Sequence, residues 1–151
     1  MNIYGLILKF FLLPVFITNL SIAQDIAVHN LIGKLQKEVI KKYGKPVHKD
    51  DSNPDMICMY YKTGNNNMIF VADKNGVYQA EAVKSYGTES IARKELDAII
   101  TASSKNSFLI DTVSINDFNL QKSGVKVDLQ ISENKLTNKF DIRVKARRSE
   151  D

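Results

Sequence analysis

His48, Asp50, Asp51 and Asp55 fall in one short stretch, where an imidazole and three carboxylates are donors that a hard or borderline cation accepts. The run Asp50-Asp51-Ser52-Asn53-Pro54-Asp55 lacks the central glycine and terminal glutamate of a calcium loop. Its residue types bond their own backbone in turns, so a turn cluster is the simpler reading and no metal is expected. Cys58 could serve as a nucleophile with His29 or His48 as its base, but a reactive thiol needs an accessible, electropositive setting. Its place within a strand-like run predicts a buried filler instead. Neither a Gly-x-Ser-x-Gly elbow nor a glycine-rich phosphate loop occurs, so catalytic and cofactor-binding residues are not assigned. Arg143, Lys145, Arg147 and Arg148 form a basic stripe that could attract acidic lipid headgroups or an acidic partner; a solvated strand end accounts for it more simply.

The frame for these residues is an ordinary globular one. With 151 residues, 44% hydrophobic and 25% charged, the chain has the size and composition of a single domain. A net charge of +4 is too small for the dense basic field of a nucleic-acid binder, so no nucleic-acid partner is expected. Residues 1–23 read as a signal peptide: Lys9 supplies the charge, Phe10 to Ile17 the apolar run, and Ser21 and Ala23 the small residues before a cut between Ala23 and Gln24. The apolar run is too short for a membrane span, and Pro14 and Asn19 interrupt the wider segment. The remaining residues, 24–151, read as one α+β domain, periplasmic or secreted, soluble, and with no transmembrane span after cleavage. Cys58 is the only cysteine, so the domain holds without an internal disulfide, and the end of the leader offers no acceptor for a lipid.

Along the domain, Asp25 to Leu31 suggests a short helix stopped at Gly33, and Leu35 to Tyr43 a second one ended by Gly44 and Pro46. Leu35, Val39 and Tyr43 make its apolar stripe, and its lysines face outward. Strands are expected at 56–62, 67–73 and 77–86, then a helix capped by Thr88 and running to about Ser104, with Ala92, Leu96, Ile99 and Ser103 on one face. Three further strands are expected at 108–115, 124–132 and 139–147, the last two alternating apolar and charged residues. The expected fold is therefore an antiparallel six-stranded sheet with helices packed on one face, in the order (α)α-βββ-α-βββ. Helix, three strands, helix, three strands suggests two similar halves, without a residue-level repeat.

Register is set by the turns. Asn75-Gly76 as a two-residue type I′ turn sets Val71 opposite Ala80 and Ile69 opposite Ala82, with the alanines making room for helices. A turn at Gly64-Asn65, or a four-residue loop from Thr63 to Asn66, sets Tyr61 opposite Met68 and Met59 opposite Phe70. Together these place Met59, Tyr61, Met68 and Phe70 on the sheet face away from the helices, with Cys58 and Tyr60 pointing inward. Such an apolar cluster has the look of a docking patch, unless a loop such as 117–123 covers it. In the last hairpin, Ile131 facing Phe140 puts Asp128 opposite Arg143.

The run Ile32-Gly33-Lys34-Leu35-Gln36-Lys37-Glu38-Val39, then Tyr43-Gly44-Lys45-Pro46, then Tyr60-Tyr61 and a hairpin, resembles the opening of the SmpA/OmlA family of small bacterial envelope proteins. The family, with the related beta-lactamase-inhibitor-protein fold, shows a glycine, a helix with Glu-Val, a Gly-x-Pro turn and an aromatic strand. The resemblance spans about Asp25 to Val83 and implies a non-enzymatic role in binding other envelope proteins through a sheet face or its loops. Two departures stand out: family members in outer-membrane assembly are typically lipoproteins, and the second helix with its three strands extends beyond the module. A doubled module, as in the inhibitor proteins, would account for the extension. The leading expectation is an exported protein that binds another envelope protein through Met59, Tyr61, Met68 and Phe70. The alternative is a protein inhibitor or small-ligand carrier with a pocket between sheet and helices.

Overall fold

The computed structural model describes residues 26–150. The expected signal peptide at 1–23 and the expected cut between Ala23 and Gln24 lie outside the described residues. The chain enters through a 3₁₀ turn, Val28–Leu31, then forms α1 (Gln36–Tyr43), β1 (His48–Asp50), β2 (Ile57–Thr63), β3 (Asn66–Asp73) and β4 (Gly76–Tyr86). It continues through α2 (Glu89–Lys105), β5 (Leu109–Thr112), β6 (Asp117–Lys122), β7 (Val125–Asn134) and β8 (Lys139–Arg148).

The helices begin and end for identifiable reasons. The Thr88 hydroxyl accepts a hydrogen bond from the Ile91 amide at 3.3 Å and starts α2, which then buries Ala92, Leu96, Ile99 and Ser103, the stripe read from the sequence. Gly44, at φ +79°, ends α1 while its amide donates to the Ile40 carbonyl at 2.8 Å. Leu35, expected on the buried stripe of α1, precedes the helix and is 46% exposed.

The sheet has eight antiparallel strands, not six, in the order β1-β2-β3-β4-β8-β7-β6-β5. Both additional strands lack a strong apolar signal. The residues of β1, His48, Lys49 and Asp50, are all exposed, and pairing with β2 alone holds them. The stretch expected to be a loop at 117–123 is β6, whose inward series Phe118, Leu120, Lys122 holds only two apolar residues. The expected order fails with the count: each helix precedes four strands. Read inward from either edge, each half of the sheet is a four-stranded meander in chain order, and the halves meet where β4 pairs β8.

One face carries the core. Phe70, Ala80, Ala146, Val127 and Leu120 form one cross-strand row, and Met68, Ala82, Val144 and Leu129 the next. All nine are buried at 2% exposure or less, beneath α1, α2 and the 3₁₀ turn. Burial of these side chains is the main favourable contribution to the fold.

Candidate functional site

Met59, Tyr61, Met68 and Phe70 do assemble, and they pair as expected: Met59 with Phe70, and Tyr61 with Met68, across a turn at Gly64-Asn65. They lie on the opposite face from the one expected. Their exposures are 0%, 3%, 2% and 0%, and α1 covers them, with the Tyr43 ring 5.7 Å from that of Tyr61 and 5.5 Å from that of Phe70. The Tyr61 hydroxyl donates to the Gly44 carbonyl at 3.1 Å, and burial pushes its phenol pKa up. These four residues are core, which leaves them no surface to offer a partner.

The cause is a register difference at the next hairpin. The turn residues are Lys74 and Asn75, with Asp73 paired to Gly76, rather than Asn75 and Gly76. The Asp73 carboxylate accepts from the Asn75 amide at 2.7 Å. Only Gly76 there has positive φ, +112°, whereas a type I′ turn needs it at both central residues. An irregularity between Val71 and Ala72 then shifts the pairing, so that Phe70 faces Ala80 and Met68 faces Ala82. Relative to the expected register this is a one-residue slip, which exchanges the two faces of a strand. The alanines remain under the helices, as expected, and the cluster goes in with them.

Cys58, Tyr60, Ile69, Val71 and Val83 point outward instead. Ile69 is 45% exposed and the other four are half-buried. Cys58 and Tyr60, expected inward, are thus on the open face, and the Tyr60 hydroxyl donates to the Asn67 side chain at 3.0 Å. Across β4 and β8 the same face turns ionic. Glu81 pairs Arg143 at 3.5 Å, and Asp128 pairs Arg147 at 2.9 Å. The strand partner of Asp128 is Lys145, not Arg143, because the β7–β8 register joins Ile131 to Ile142. The basic stripe is therefore largely engaged, and Arg148 also reaches Asp73 at 3.5 Å.

The acidic loop is a turn. The Asp50 carboxylate accepts from the Ser52 amide and hydroxyl at 3.0 and 2.7 Å, and these bonds hold its pKa low. Lys49 pairs Asp51 at 3.1 Å. Among the described residues no three His, Cys, Asp or Glu side chains converge. His29, in the 3₁₀ turn, is buried, with Nε2 3.2 Å from the Ser103 hydroxyl and its ring edge-on to Phe108 at 5.3 Å. Burial, reinforced by the Lys42 charge, lowers its pKa to about 4, so the ring is neutral at pH 7.

On the helix side, a cavity of about 430 Å³ opens between the end of α1, the β2–β3 turn and β4. Lys42, Tyr43, Thr63, Asn66, Met68 and Lys84 line it, and none of the lining residues is acidic. Lys84 is 6% exposed, with Nζ 5.5 Å from the Tyr86 ring centroid. Among the described residues its ammonium makes neither a hydrogen bond nor an ion pair. Sequence reasoning missed Lys84, although a signal was present: it continues the inward series Ala80, Ala82, Lys84, Tyr86, where a cation is out of place.

No family model matches the chain, and no curated protein matches it. Among solved structures, a cysteine-rich secretory protein from Staphylococcus aureus subsp. aureus Mu50 is similar at 12% identity and a TM-score of 0.44, over 76% of this chain and 44% of that one. An extracellular protein containing an SCP domain from Bacillus anthracis str. Ames is similar at 12% identity and a TM-score of 0.41, over the same shares. The chain thus spans less than half the length of either. No helix among the described residues is long and apolar enough to cross a membrane.

Proposed function

We propose that this is an exported, non-enzymatic protein that docks another envelope or extracellular protein on the open face of its sheet. The observation that carries the reading is the outward group Tyr60, Ile69, Val71 and Val83 on the face the helices leave uncovered, with Tyr60 paired to Ile69 across β2 and β3, Val71 two residues along β3 and Val83 diagonal to Ile69 on β4. Apolar residues that neighbour one another on a surface, rimmed by charge, mark contact surfaces more often than scattered ones do. Charge borders the group on the β4 side, where Glu81 is opposite Ile69 and Arg143 opposite Val83, with Lys145 beyond Glu81. Export rests on the leader-like residues 1–23, and kinship to the SmpA/OmlA module on the Gly33 to Tyr61 pattern; the two meanders, each preceded by a helix, are what a doubled module would form.

A photo-reactive residue in place of Ile69 tests the reading in intact cells. It is expected to capture a discrete protein, and the Tyr60→Ser/Val71→Ser pair is expected to abolish capture with little change in melting temperature. Capture that survives the pair, or no capture from Ile69, would remove the proposal.

A further inference from the structure

We infer that the outer side of α1, with the residues flanking it, is a contact surface for a phospholipid membrane rich in anionic headgroups. Of the chain's 21 basic and 17 acidic residues, five lysines and one glutamate fall within 34–45, a net charge of +4. That is the charge of the whole chain, and the 16 residues of each sign that remain cancel. The fold turns this excess to one side. Val39 is fully buried against the sheet, and Lys37 and Lys41, four residues apart, project from the opposite side of the helix. Lys34 precedes α1 and Lys45 follows it, both exposed. Among the described residues none of these four ammonium groups makes an ion pair or a hydrogen bond. Lys42 adds its charge beside them, packed over the Tyr43 ring at 5.2 Å, and Glu38, the one acid of the segment, is half-buried.

The kind of cation fits a lipid surface. All four arginines of the chain, Arg93, Arg143, Arg147 and Arg148, are ion-paired within the fold, where a planar fork suits a fixed carboxylate. The outer side of α1 carries lysine only, a point charge on a flexible stem, which suits a diffuse array of headgroups rather than one acceptor. Each lysine near such a surface adds to the attraction. Leu35, Ile40 and Val47 stand among these lysines at 46%, 40% and 67% exposure. Apolar groups beside cations match the boundary where headgroups meet acyl chains. Because α1 lies on the helix side, a molecule seated on lipid by α1 keeps the open sheet face turned away from it. The inference is thus independent of the docking face.

Co-flotation of the purified protein with vesicles tests the inference, using phosphatidylcholine alone and phosphatidylcholine with about one-third phosphatidylglycerol. Binding is expected to the anionic vesicles and not to the neutral ones, and is lost as salt rises from about 0.05 M to about 0.5 M. Lys37→Gln/Lys41→Gln is expected to weaken it about tenfold or more, whereas Lys62→Gln/Lys126→Gln, the same loss of charge on the open face, changes it by about twofold or less. The chain contains no tryptophan, so a single one reports on its own surroundings. Emission of Ile40→Trp is expected to move to shorter wavelength on anionic vesicles, and that of Ile69→Trp to stay where it is. The inference is overturned if anionic vesicles are bound no better than neutral ones, if the two charge variants lose binding equally, if Lys37→Gln/Lys41→Gln binds as the wild type does, or if Ile69→Trp responds and Ile40→Trp does not. Binding of poly-glutamate without binding of anionic vesicles would also overturn it and give the surface to an acidic protein. Protein capture from Ile69 is a separate measurement, so each proposal can fail alone.

Discussion

Gly76 and Lys34 approach so closely that a Cβ added to Gly76 would lie 2.7 Å from the Lys34 carbonyl oxygen. The approach is fixed by two backbone bonds that flank it, from the Gly33 amide to the Val77 carbonyl at 2.7 Å and from the Val77 amide to the Lys34 carbonyl at 2.8 Å. The segment before α1 is thereby tied to the start of β4. Gly76→Ala is expected to destabilise by about 2 kcal/mol or more, since both the positive φ and the obstructing backbone oppose it. Gly64→Ala, at φ +57° with no atom near its added Cβ, is expected to cost only about 1 kcal/mol. Urea unfolding of the two variants separates strain from crowding.

Acid is expected to destabilise the protein through His29. Its folded pKa, about 4, lies below the unfolded value of 6.5, so between these the unfolded chain binds more protons. The contribution is complete above pH 6.5 and is lost as pH falls toward 4, to a total on the order of 3 kcal/mol. His29→Gln, uncharged throughout and able to bond Ser103, should show a shallower decline across that window. Denaturant midpoints from about pH 7.5 to about pH 4 give the comparison, and parallel curves would contradict it.

Register can be tested by substitution. With Phe70 inside and Ile69 outside, Phe70→Ala is expected to cost about 3 to 5 kcal/mol and Ile69→Ala about 1 kcal/mol or less. The reverse order of effects would restore the alternative hairpin register.

Thr88→Ala is expected to lower stability by about 1 kcal/mol, because the first turn of α2 loses its side-chain acceptor for the Ile91 amide. Thr88→Ser should retain most of the wild-type value. Thermal melts of both variants check this.

The element types were legible wherever periodicity was strong. Ala92, Leu96, Ile99 and Ser103 identify the buried face of α2, and alternation from Val125 to Ile131 and from Ile142 to Ala146 identifies the inner faces of β7 and β8. The two missed strands had little to offer that kind of reading: β1 buries nothing, and β6 buries Leu120 alone among its residues. Their strand form comes from hydrogen bonding to a neighbour already in place.

Residue identity determined that Met59, Tyr61, Met68 and Phe70 would share one face, because a period of two and one short turn suffice for that. Which face it would be was decided only in three dimensions. An apolar alternation looks the same from either side, and a single residue of slip at Lys74-Asn75 and the adjoining irregularity exchanges inside for outside. The same decision put Tyr60, Ile69 and Val71 on the open face, whereas Ala80, Ala82 and Lys84 face the helices in either register. The proposed docking face thus depends on a hairpin whose local sequence permits two registers, and on burial of the larger side chains, Phe70 and Met68, that selects one.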